Sequence, residues 1–323
     1  MKLKFYCLSF LTILVFTSCQ KDLDLFVPDP GQALHADTNW VAAGIDAPNI
    51  AVLKKSLQPA FFTDSIELNG ATASMVTPSG LHGVFPSGCL TGPGSTSVWG
   101  RVNIKAALLT TRGDMLCMDR PTTTDEKLLA VAGAIFIQAE KDNHTLAVSA
   151  DRDIYLNFPV NGNSAGIKLY YGDEKGPGNF EWERFSSDNY GSVNINNDSF
   201  NIKCKRTGWI CPAAILEGSG EKTKVSVTLP PHYTNANTVA YLVFKNKLSI
   251  ATLEPKLSDK KFRSMAVPVN EACTLVVISL QGNDYYLGFS SITTTGSGSG
   301  IQQVPVTPYK VAFSTLKTFL SAL

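Results

Sequence analysis

In "VNIKAALL", residues 102–109, Val102, Ile104, Ala106 and Leu108 alternate with Asn103, Lys105 and Ala107. The same period returns in "IYLNF" (154–158) and in "VSVTL" (225–229). Alternation of this kind lines one face of a strand with apolar groups and leaves the other face polar, which no helix can do. "TLVVISL" (274–280) is apolar in both phases and predicts a central strand covered on each side. Turn-forming "NGN" (161–163), "GPG" (176–178) and "QGND" (281–284) interrupt the runs. Helical spacing is confined to two places. One is "APNIAVLKKSL" (47–57), with Asp46 as N-cap and Pro48 in the first turn. The other is "YKVAFSTLKTFLSAL" (309–323), with Leu316, Phe319, Leu320 and Leu323 on one stripe. The pattern predicts a mainly β chain of two or three β-sandwich-like modules, with short helices near both ends.

The first 18 residues do not belong to that pattern. Lys2 and Lys4 precede "FYCLSFLTILVF" (5–16), an uncharged run with the form of a secretory signal. It is shorter than the ~20 apolar residues that span a bilayer. Phe16-Thr17-Ser18-Cys19 resembles the lipobox of bacterial lipoproteins, which implies cleavage before Cys19 and a lipid on its thiol. The following "CQKDLD" resembles the signal that sends Bacteroidota lipoproteins to the outer face of the outer membrane, with Leu23 interrupting the acidic run. The resemblance implies a lipid-anchored outer-membrane protein facing the exterior, with a periplasm-facing orientation as the alternative. Residues 20–38 carry two prolines and no apolar period, as a tether would.

Boundaries fall at composition shifts. They divide the chain into a signal peptide (1–18), a lipidated tether with a short helix (19–58) and a β domain (59–160). A β-rich segment (161–218), a second sandwich-like domain (219–295) and a Gly/Ser linker with a C-terminal helix (296–323) follow. Within 63–159, "GDML", "AVAGAIFIQA" and "IYLNFP" resemble the ZU5-like β domains of uncharacterised Bacteroidota surface lipoproteins, as does the later "TGWIC". The likeness implies an all-β modular architecture and brings no catalytic residue with it.

Charge narrows the partners. Loss of Lys2 and Lys4 with the leader leaves 26 of 28 basic residues against 27 acidic ones. A balance near −1 gives no electrostatic footprint for nucleic acid, so the membrane enters as a partner only through the lipid. The five mature cysteines besides Cys19 form no CxxC, and the four histidines are widely separated, so no metal site or cofactor is expected from spacing. Ser314-Thr315-Leu316-Lys317 and Ser219-Gly220-Glu221-Lys222 match SxxK without its companion motifs, and no catalytic residue is assigned. Asp151 and Asp153, two apart on a strand, could gather calcium but read better as a solvated strand end.

Aromatic residues supply the one pointer to a ligand. Trp99 is out of phase with Val102 and Ile104 and shares a face with Arg101 and Asn103. An indole beside hydrogen-bonding groups suits the C–H face of a sugar, unless another sheet covers it. Trp182, Tyr170-Tyr171 and Tyr285-Tyr286 could join such a surface. In "CKRTGWIC" (204–211), a two-residue turn at Thr207-Gly208 would set Cys204 opposite Cys211. Their Cα atoms would then lie ~5.5 Å apart, within disulfide reach; two reduced core cysteines are the alternative. The expected role is non-catalytic display, adhesion, or binding of a glycan or envelope protein. The rival is an envelope hydrolase acting on glycans, with carboxylates gathered from separate strands.

Overall fold

The computed structural model describes residues 39–42, 47–125, 127–160, 166–176, 179–184, 190–196, 198–216 and 220–323. Cys19, the leader, residues 20–38, Asp46, the 161–163 turn and Ser219 lie outside them. The protein is mainly β, built from several sheets and a few short helices.

The first sandwich uses twelve principal strands. They are β1 (Phe62–Leu68), β2 (Ala73–Val76), β3 (His82–Phe85), β4 (Gly100–Leu109), β5 (Lys127–Val131), β6 (Ala134–Lys141), β7 (Ile154–Pro159), β8 (Lys168–Gly176), β9 (Asn179–Glu183), β10 (Gly191–Asn196), β11 (Ser199–Cys204) and β12 (Gly208–Ile215). One sheet runs β1-β4-β6-β12-β8-β9, with β5 also on β12, and the other runs β10-β11-β7-β3-β2. Ile66, Val102, Ile104, Ile137 and Ile210 meet Leu156, Phe158, Phe200 and Ile202 between them. These are the apolar phases of the alternating runs, so each strand contributes its inward residues to one dry layer.

The second sandwich contains β13 (Lys222–Thr228), β14 (Thr238–Phe244), β15 (Ile250–Thr252), β16 (Lys261–Arg263), β17 (Ala272–Gln281), β18 (Asp284–Thr293), β19 (Ile301–Pro305) and β20 (Tyr309–Val311). β13 pairs with β16 and, in parallel, with β19; the facing sheet runs β15-β14-β17-β18-β20. Strand β17 has the expected double burial. Leu275 and Val277 enter the core of the second sandwich, while Val276, Ile278 and Leu280 face a central core shared with the first. That shared core also takes Tyr170, Trp182, Trp209 and Cys211 from the β4–β12 sheet. The "QGND" signal closes the β17–β18 hairpin, with Gln281 opposite Asp284 and Gly282 at φ +59°.

Three of the sequence expectations need correction. Residues 161–218 are not a separate segment, because β12 lies between β6 and β8 while β11 lies between β10 and β7. The Gly/Ser run is not a loose linker. Gly300 N–H donates to the Ser297 carbonyl and Ile301 N–H to Ser297 Oγ, closing a turn that feeds β19. The last helical segment is also shorter than its periodicity, since Tyr309–Val311 pairs with β18 as a strand.

Helices seal the shared core. α1 (Pro48–Leu57) inserts Leu53 and Leu57, and starts at Ala47 without a side-chain cap. α2 (Arg112–Cys117) is fixed by a capping box, in which Asp114 N–H donates to Thr111 Oγ1 and Thr111 N–H to Asp114 Oδ2. α3 (Phe313–Ser321) buries Leu316 and Leu320 against it. No described helix is long and apolar enough to cross a bilayer.

The Thr207-Gly208 hairpin does not form. β11 ends at Cys204 in one sheet and β12 begins at Gly208 in the other, so residues 205–207 turn a corner between layers. Arg206 is held at that corner by Asp173, and Lys205 by Asp153. Cys204 therefore sits opposite Ile154 and Gly191, Cys211 sits opposite Tyr170, and both are free thiols in different cores. Burial raises both thiol pKa values, and it pushes those of Cys89 and Cys117 up to about 11 and that of Cys273 to about 12. Thiol reactivity requires the thiolate. A disulfide-exchange reagent at neutral pH should thus leave these five cysteines unlabelled in the native protein and label them all in denaturant. A Cys204–Cys211 peptide in a non-reducing digest would contradict this topology.

Candidate functional site

Trp99 is not covered. It is 61% exposed just before β4, with the edge of its ring against Gly70. Arg101 and Asn103 follow on the solvent side of β4, with Arg101 Nε donating to Ser65 Oγ at 3.0 Å. Arg101 and Asn103 share the open face of β4 and Trp99 is exposed just ahead of it, but the three line neither of the cavities described below. Large losses on truncating aromatics come from cores. Trp99→Ala should therefore leave the thermal midpoint within about 2 °C of wild type, by the usual small effect of surface changes. A drop of 10 °C would show that Trp99 is packed.

The other aromatic candidates are structural. Trp182, Tyr170 and Tyr171 are buried, Tyr285 stacks on Phe313, and Tyr286 meets Tyr233 edge-on. Arg120 lies between the Phe180 and Trp209 rings, 4.4 Å and 4.9 Å from their centroids, and bonds Glu174. Asp153 is a partnered group and not a solvated strand end: Lys203 and Lys205 reach it at 3.0 Å and 2.9 Å. Burial works to raise its pKa, but the two lysine hydrogen bonds outweigh that and hold it below the usual carboxylate range. Lys317 stacks over Phe313. Among the described residues no group of His, Cys, Asp and Glu could hold a metal ion.

The site lies on the outer face of the β10-β11-β7-β3-β2 sheet. The inward phase of these strands fills the sandwich, so alternation turns the polar phase outward. Register then aligns that phase into rows. Asn194 on β10 faces Asn201 on β11, Asn201 faces Asn157 on β7, and Asn157 faces His82 on β3. The neighbouring row is Ser192, Lys203, Tyr155 and Val84. The two rows line a shallow cavity of about 280 Å³. Tyr155 is 44% exposed. Asn201 donates to the Ser199 carbonyl at 3.2 Å. Among the described residues, the amides of Asn157 and Asn194 make no hydrogen bond. Each amide offers two donors and an acceptor with two lone pairs, without charge. Together with the flat Tyr155 ring, this is chemistry suited to hydroxyl-rich ligands.

A second cavity, of about 170 Å³, includes Asp119, Glu254, Lys54 and Tyr241. Asp119 is engaged there by Lys54 at 3.0 Å and by the Tyr241 hydroxyl at 3.0 Å, and Glu254 pairs with Lys256.

None of the outer-face residues was singled out from sequence. Their signal was present: Asn157, Asn194 and Asn201 each stand in the polar phase of an alternating run. Only the pairing register places them in one row.

No protein-family model matches the chain, and no curated protein is significantly similar to it.

Proposed function

We propose that this chain is a lipid-anchored, non-catalytic envelope protein that binds a glycan on the outer face of its first sandwich. The observation carrying this reading is the cavity over β10, β11, β7 and β3, where neutral amides and Tyr155 converge outside a closed core. No carboxylate is among its described lining residues, whereas glycoside hydrolysis ordinarily needs two flanking the bond. The leader and Cys19 supply the anchor in this reading, with the outer membrane as its location. The hydrolase reading has one foothold, the shared cavity of Asp119 and Glu254.

Glycan-array binding by the mature chain tests the proposal. Asn157→Ala and Asn201→Ala should each lower affinity about two- to tenfold, the worth of one hydrogen bond, with the melting temperature nearly unchanged. Cys19→Ala should keep glycan binding and leave the membrane fraction. Glycan cleavage lost in Asp119→Asn or Glu254→Gln would establish the rival.

A further inference from the structure

The outer face also limits what kind of glycan fits, and this step rests on the glycan-binding reading above. Across the sheet, Asn194, Asn201, Asn157 and His82 stand in register on four adjacent strands. Strands are ~4.8 Å apart, so the row extends about 14 Å perpendicular to the strand direction. Its charge is as informative as its length. Among the described residues Lys203 is the only Lys or Arg lining the cavity, and its ammonium lies 3.0 Å from Asp153. Lys205 holds the other oxygen of Asp153 at 2.9 Å and donates to the carbonyls of Ala150 and Arg152. Asp153 is thus shared by two lysines, which leaves a single net positive charge beside the row and no cluster of cations, and the described lining has no Asp or Glu.

A carboxylated or sulfated chain would find no free cation cluster here, and an amino sugar would find no anion. Amides can instead donate to and accept from the same hydroxyl-bearing ring. We propose that the ligand is an uncharged oligosaccharide laid across the strands, one ring per strand along the Asn194–Asn201–Asn157–His82 row, with Tyr155 flanking its middle. Asn194, on the sheet edge, is the terminal contact of this row.

Titration calorimetry of the full mature protein with neutral hexose oligosaccharides of one to six units tests this, beside uronic-acid and sulfated chains of equal length. Affinity should rise with length and level off at roughly three to four rings, as the four-strand row requires. Asn194→Ala should weaken the tetrasaccharide about two- to tenfold while leaving the disaccharide unchanged. Raising NaCl from 50 to 500 mM should leave the neutral-chain affinity within twofold, because no ion pair is made. Three results would overturn the inference while leaving glycan binding standing. They are an affinity independent of length, an Asn194→Ala loss equal for all lengths, and a tenfold preference for acidic chains that vanishes in Lys203→Gln. No binding of any glycan would remove the functional reading itself, and this proposal with it.

Discussion

Replacing Trp182 with alanine should lower the unfolding free energy by ~3–5 kcal/mol, the cost of emptying a large aromatic site that cannot collapse. Trp182 is fully buried on β9, packed edge-on against Phe180 (ring centroids 4.9 Å apart) and Trp209 (6.5 Å). Its indole N–H donates to the Pro121 carbonyl at 2.9 Å, so truncation also leaves a half-buried acceptor without its partner. The rings around it close the core between the two sandwiches, and Arg120 stacks on two of them. Urea denaturation should show a lower midpoint with an unchanged slope. Trp182→Phe should recover part of the packing but not the hydrogen bond. A loss below 1 kcal/mol in Trp182→Ala would mean that β9 does not pack into this core.

Gly113→Ala is the second large effect expected. A methyl at Gly113 would lie 1.9 Å from the Leu320 carbonyl oxygen and 2.8 Å from its carbon, both in the α3 backbone. Overpacking typically costs ~1–3 kcal/mol, and a clash with backbone belongs at or above the top of that range because no rotamer can relieve it. The same contact is braced from the next residue. Arg112 donates through Nε to the Leu323 carbonyl at 2.5 Å and through Nη1 to the Lys245 carbonyl at 2.6 Å, tying α2 to the residues that follow α3 and β14. Gly220→Ala is the control, since a methyl there meets nothing within 4 Å. Equal stability of the two variants in thermal unfolding would show that α3 does not dock on α2.

The parts of this fold that were legible in the sequence are those set by local period. Alternation in 102–109, 154–158 and 225–229 became β4, β7 and β13, because one face of each is dry. The doubly apolar 274–280 became β17, because cores lie on both its sides. What depends on distant pairing was not legible. Nothing local to 208–215 announces that β12 will lie between β6 and β8. The Thr207-Gly208 pair has the look of a hairpin turn, and its poor fit, threonine where φ must be positive, was the physical warning. The site follows the same rule. Trp99 was visible because an indole out of phase is conspicuous, whereas outward asparagines look like any solvated position until register sets three of them in line.

The central claim is that this row on the outer face is where a glycan sits. The most direct measurement is a crystal structure of the mature protein with the tightest-binding neutral oligosaccharide. Sugar rings should lie across β10, β11, β7 and β3, hydrogen-bonded to Asn157 and Asn201 and flanked by Tyr155. Sugar seated instead on Trp99, or in the cavity of Asp119 and Glu254, would contradict it.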